Sequence, residues 1–165
     1  MVTLLLIIIY IAFISLGLPD SILGSAWPVM YTDFAVPVSY AGIVSMIIAV
    51  STIVSSLFST RLIQKLGTGK VTAISVSLTA IGLLGFSQAT AFWHLCVWAI
   101  PYGLGAGSVD SALNNFVALH YRSRHMSWLH CFWGVGATLG PYIMGMYLTN
   151  NLPWNMGYKT IGTLQ

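Results

Sequence analysis

Charge is what this sequence has least of. Lys and Arg together number six, Asp and Glu three, and the three acids are all Asp, so charged residues make up 5% of the 165. A soluble domain usually carries about 25% charged residues. A chain that is 57% hydrophobic, with a mean hydropathy of +0.85, cannot cover a water-exposed globule with polar surface. The composition therefore describes a polytopic membrane protein. Six basic residues spread over separate connections make no basic patch, so the pI near 9.0 does not point to nucleic acid. Cysteine is scarce too. Cys96 and Cys131 lie in separate apolar runs without C-x-x-C spacing and read as small packing residues. Of the four histidines, His120, His125 and His130 are each turned about 140° from the one before on a helix, so they share no ligating face. Gly107–Ser108 lacks the trailing glycine of a G-x-S-x-G nucleophile, and no other serine is better placed. No enzymatic activity, metal or cofactor is expected.

What the sequence does have is long apolar runs. Each needs about 20 residues to cross a hydrocarbon core. The pattern predicts helices at about 4–30, 39–62, 71–87, 92–119 and 127–148, with 157–165 as the start of a sixth. The expected fold class is all-α: five transmembrane helices plus the start of a sixth, forming one bundle over residues 1–165 that is cut short. The first run lacks a basic leader and a small-residue cleavage site, so it reads as a span rather than a signal peptide. Pro19 and Pro28 should kink it. Ser45, Thr52, Ser55 and Ser59 line one side of the second helix, a pattern of tight helix packing in lipid. The third helix, uncharged and with Gly82 and Gly85, reads as structural.

The most distinctive stretch is 102–115, Y-G-L-G-A-G-S-V-D-S-A-L-N-N, on the fourth helix. Gly103, Gly107, Asp110 and Asn114 fall on one helical face, a smooth stripe bearing a carboxylate and an amide. The first helix repeats the arrangement with Gly17, Asp20, Gly24 and Trp27, and this face is the expected partner of the stripe. On the fifth helix, Gly136, Gly140 and Gly145 with Pro141 make a deformable segment.

An Asp at mid-bilayer costs about 2.5–3.5 kcal/mol on insertion scales and usually faces a cavity with a function. Asp20 and Asp110 have no Lys or Arg in the same layer of the membrane. Such a carboxyl is protonated, hydrated, or neutralised by a cation or by a further part of the protein. Uptake and release of a proton during transport is the leading expectation, against a neutral Asp bonded to a neighbouring helix. His130 suits solute binding or proton relay, or equally a polar helix end. Trp27 and Tyr142 suit stacking on a sugar-like ring, or anchoring at the interface. Arg61, Lys65, Lys70, Arg122 and Arg124 occupy alternate connections, and Lys159 alone lies across from them. The positive-inside rule then places the N-terminus and both basic connections in the cytoplasm of a multi-pass cell-membrane protein.

Several of these segments resemble the N-terminal half of a major facilitator superfamily transporter. T-R-L-I-Q-K-L-G-T-G-K at 60–70 is similar to the superfamily's G-x-L-x-D-R-x-G-R-K loop. Leu62, Lys65, Gly67 and Lys70 keep its character, while Thr60 replaces the first Gly and Gln64 the Asp. Gly136, Gly140, Pro141 and Gly145 resemble its glycine–proline motif. G-L-P-D-S-I-L and G-L-G-A-G-S-V-D-S-A-L-N-N-F-V are similar to the fucose-permease-like branch of sugar–proton symporters. That resemblance implies proton coupling at Asp20 and Asp110, and substrate contact by Asn114 and, on a weaker match, His130. It also implies two six-helix bundles with the solute between them, the second absent here. The expected function is proton-coupled transport of a sugar or other small solute by alternating access. The expected partners are that solute, a proton, the lipid bilayer and the missing C-terminal bundle. The alternative is a non-catalytic membrane subunit, or a small carrier that works as a homo-oligomer.

Overall fold

The computed structural model describes residues 2–165, with side chains from Leu4 onward. The described residues form seven α-helices and no strand: α1 (Val2–Asp20), α2 (Ile22–Asp33), α3 (Ala41–Leu66), α4 (Thr68–Ser87), α5 (Phe92–His120), α6 (Ser123–Thr149) and α7 (Trp154–Leu164). A 3-10 turn at Val38–Tyr40 leads into α3. Helix is the form that satisfies every backbone donor and acceptor within one apolar segment.

Four boundaries differ from the sequence expectation, each for a local reason. The single helix expected over 4–30 breaks at Ser21, just after Pro19. Proline has no N–H, so the Ser15 carbonyl four residues earlier lacks its helical donor. The side-chain amide of Gln165 donates to that carbonyl instead, at 2.7 Å. The basic turn expected over 61–70 contracts to one residue, Gly67, between α3 and α4. Its φ of +81° lies in the region that favours glycine. Helix α6 starts at Ser123 rather than 127, and α7 at Trp154 rather than 157, since Arg122 and Pro153 are already extended caps.

Helix α1 lies along α6, and α5 is held between α3 and α4, with α7 on α4. Both seams rest on small residues. A methyl group at Gly17 would strike the Trp133 carbonyl, and one at Gly136 or Gly140 would strike the Ile14 or Leu18 carbonyl. On α5, Gly103 and Gly107 meet α3 at Ile48 and Thr52. Hydroxyls stitch the same seam: Thr52 and Ser56 donate to the Gly103 and Gly107 carbonyls at 3.2 Å, and Ser55 bonds Leu104 and Ser108. From Thr52 to Ser59 the serine and threonine side of α3 is thus a packing face, while Ser45 is exposed and lines a cavity. The glycine part of the 102–115 stripe is a packing face too, and meets α3 and not α1.

Two hydrophobic clusters fill the bundle. One contains Phe13, Leu16, Val109 and Leu129, the other Ile22, Trp27, Met30, Tyr102, Met144 and Tyr158. Outside them the surface stays apolar, with Leu57, Leu119 and Trp93 more than 70% exposed. That surface suits lipid as its solvent. Leu4–Asp33, Val38–Leu66 and Thr68–Ser87 are long and apolar enough to cross a membrane by length and composition. Helices α5 and α6, at 29 and 27 residues, are also long enough. Their apolar runs are interrupted by Asp110, Asn114, Asn115 and histidines.

Candidate functional site

Asp20 ends α1 at the break in the first span. The helix stops there, so its carboxylate is free to be held from outside the helix. Tyr102 of α5 donates its hydroxyl to Oδ1 at 3.1 Å, and Trp133 of α6 donates its indole N–H to Oδ2 at 2.8 Å. One carboxyl group thereby ties three helices together at a level where α1 and α5 otherwise barely touch. The Tyr102 ring is fixed behind it by Gly82 and Phe86 of α4. Beside Asp20 a cavity of about 290 Å³ opens between α2, α3, α4, α5 and α7, lined among others by Gly24, Ser45, Ile48, Phe86 and Tyr158.

A second polar group lies further along α5. Asn114 donates its amide to Asp110 Oδ1 at 3.0 Å, one turn apart on the helix. The Asn114 carbonyl oxygen is buried and has no partner. His130 of α6 sits edge-on to Phe13 of α1 at 6.2 Å.

The structure thus pairs Asp110 with Asn114 and gives Asp20 its own donors, while His130 packs on Phe13. Trp27 is placed differently from the expectation of a solute-stacking ring. It is 4% exposed, and its indole N–H goes to the Val38 carbonyl at 2.7 Å, anchoring the entry to α3. Tyr142 is 66% exposed on α6, outside both groups. Gly103 and Gly107 serve the α3 seam and Gly136 and Gly140 the α1 seam, with Pro141 following on α6. Lys65 and Lys70 flank the Gly67 link, in the last turn of α3 and the first of α4. Sequence reasoning missed Tyr102 and Trp133 as the holders of Asp20, and Tyr158 as a wall of the cavity. It also missed Trp154, which donates to Asp33 at 2.7 Å and packs against Phe34. Among the described residues no cluster of ligating side chains suits a metal ion.

The sequence profile of the Major Facilitator Superfamily matches residues 9–164. The chain belongs to this superfamily. Among curated superfamily relatives, the MFS-type transporter YcaD of Salmonella arizonae is 26% identical over 156 residues, covering 90% of this chain and 41% of YcaD. Synaptic vesicle glycoprotein 2C of Rattus norvegicus is 27% identical over 137 residues, covering 80% of this chain and 19% of that protein. The chain spans less than half the length of these relatives. Superfamily membership and the apolar helices together make it a membrane protein.

Proposed function

We propose that this bundle is one half of a proton-coupled secondary carrier for a sugar or another small solute. In this reading Asp20 and Asp110 carry the proton, and Asn114 and His130 contact the solute. Helices α5 and α6 cross the membrane with the other three spans, and the N-terminus and basic connections lie in the cytoplasm of the cell membrane. The resemblance of the Asp20 and Asp110 segments to the fucose-permease-like branch supports the sugar class. The length of the relatives supports a second bundle on the far side of the site.

The observation that carries the proposal is the double bond set on Asp20. Its two oxygens accept from two different helices at the break in the first span. Adding a proton to either oxygen fills one of its free lone pairs, adds a donor, and takes the charge out of the Tyr102 and Trp133 bonds, which weakens both. Protonation is thereby linked to the relative position of α1, α5 and α6, which is what alternating access requires of a coupling group.

The test is uptake of a panel of radiolabelled monosaccharides into proteoliposomes under an imposed inward proton gradient. Asp20→Asn and Asp110→Asn are each expected to remove gradient-driven accumulation, while exchange of internal for external sugar persists. Unchanged accumulation in both variants would sink the proposal. Cross-linking in the same liposomes identifies the second half, because a specific active dimer of this chain points to the homo-oligomeric carrier.

A further inference from the structure

The outer side of α3 and α4 carries a groove that the transport reading leaves unused. It has a volume of about 260 Å³ and opens between α3, α4 and α5. Val54, Phe58, Leu62 and Leu66 recur at every fourth position along α3, and Val71 and Ile74 complete the walls from α4. Phe58 is 51% exposed and Ile74 52%, so these walls are open to the surroundings. The serines of the groove offer an occupant nothing polar. Ser55, Ser75 and Ser108 are buried, and Ser55 bonds both Ser108 and the Leu104 carbonyl. The occupant that fits such walls is a hydrocarbon chain rather than water or a polar solute.

Length and charge say which hydrocarbon chain. From Val54 to Leu66 the groove follows α3 for about 18 Å. That is close to the depth of one leaflet in a hydrocarbon core about 30 Å thick. Both α3 and α4 are long and apolar enough to cross a membrane, and the groove ends at their Gly67 link. Three cations stand at that end. The Arg61 guanidinium lies 6.0 Å from the Phe58 ring centre, Lys65 stands in the last turn of α3, and Lys70 comes one turn before Ile74. All three are exposed, and neither helix carries an Asp or a Glu. An apolar chain one leaflet long with a negative head is an anionic phospholipid. A zwitterionic lipid would bring its own cation to a place that already has three.

We propose that the groove is a binding site for an anionic phospholipid, with an acyl chain along Leu66, Leu62 and Phe58 and the phosphate among Arg61, Lys65 and Lys70. A lipid held there bridges both sides of the Gly67 link. The site requires α3 and α4 in the membrane and stands whether or not the bundle carries a solute.

Native mass spectrometry of the full chain in mild detergent tests it, with phosphatidylglycerol and phosphatidylcholine of identical acyl chains as probes. The wild type is expected to retain phosphatidylglycerol at least about tenfold better than phosphatidylcholine. Arg61→Gln, Lys65→Gln and Lys70→Gln together are expected to remove that preference, whereas Arg122→Gln with Arg124→Gln keeps it. Ile74→Trp fills the groove without changing charge and is expected to weaken binding of both lipids. Glycerol phosphate, which has the head chemistry without the chains, is expected not to displace the lipid. Equal retention of the two lipids by the wild type overturns the proposal. So does a preference that survives the triple substitution or falls equally in the Arg122 and Arg124 pair. Undiminished binding to Ile74→Trp, or displacement by glycerol phosphate, overturns it too, because the chain would then lie outside the groove. The wild-type comparison and Ile74→Trp decide if the triple variant does not fold.

Discussion

Asp20 links α1 to α5 and α6 through its two oxygens, and the weight of those bonds can be measured. A hydrogen bond to a charged group contributes about 1.5–3 kcal/mol, against about 1 kcal/mol for a neutral pair. Trp133→Phe removes the indole donor and keeps an apolar ring between α6 and α1. Its effect on unfolding in mixed micelles is expected to be about 1–3 kcal/mol smaller in the Asp20→Asn background than in the wild type. Coupling near zero would show that the contact has geometry without energetic weight. The carboxyl itself was legible in the sequence, because an acid inside an apolar run needs an explanation. Its partners were not: Tyr102 and Trp133 are 82 and 113 residues away, and no helical period links them to Asp20. Trp27 shows the opposite error. Its place on the same face as Asp20 suggested a binding ring, but an indole whose N–H has a backbone partner is at home in the core.

At the scale of elements, the apolar runs locate the helices well because lipid leaves the backbone little choice. The joints are less legible, since they depend on single residues such as Pro19 and Gly67 whose effect is set by what packs around them. The glycines of α6 make the same point in a form that can be tested. Gly140 and Gly134 lie six residues apart, yet a methyl group at the first would enter the Leu18 backbone, and one at the second would meet nothing within 4 Å. Gly140→Ala is expected to destabilise the protein by about 1–3 kcal/mol through overpacking of the α1 seam. Gly134→Ala is expected to be neutral, or stabilising by up to about 1 kcal/mol, from helix propensity alone. Equal effects at the two sites, measured by denaturation in mixed micelles, would contradict the seam.

For the molecule as a whole, function and membrane crossing pull α5 and α6 in opposite directions. The polar groups proposed as a site on these helices interrupt their apolar runs, while α4 carries no charged residue after Lys70. In the proposed orientation, with α5 and α6 crossing, Gln64 and Ser123 lie on the cytoplasmic side, and Thr90 and Asn150 on the outer side. All four positions are exposed. Each can take a single cysteine after Cys96→Ala and Cys131→Ser remove the native thiols. A membrane-impermeant maleimide applied to intact cells is expected to label Thr90→Cys and Asn150→Cys. Gln64→Cys and Ser123→Cys should react only once the membrane is opened. Labelling of Ser123→Cys together with Thr90→Cys from outside would mean that α5 does not cross. Labelling of Gln64→Cys and Ser123→Cys alone would mean that the bundle is inverted, with the five basic residues of those connections facing out against the positive-inside rule.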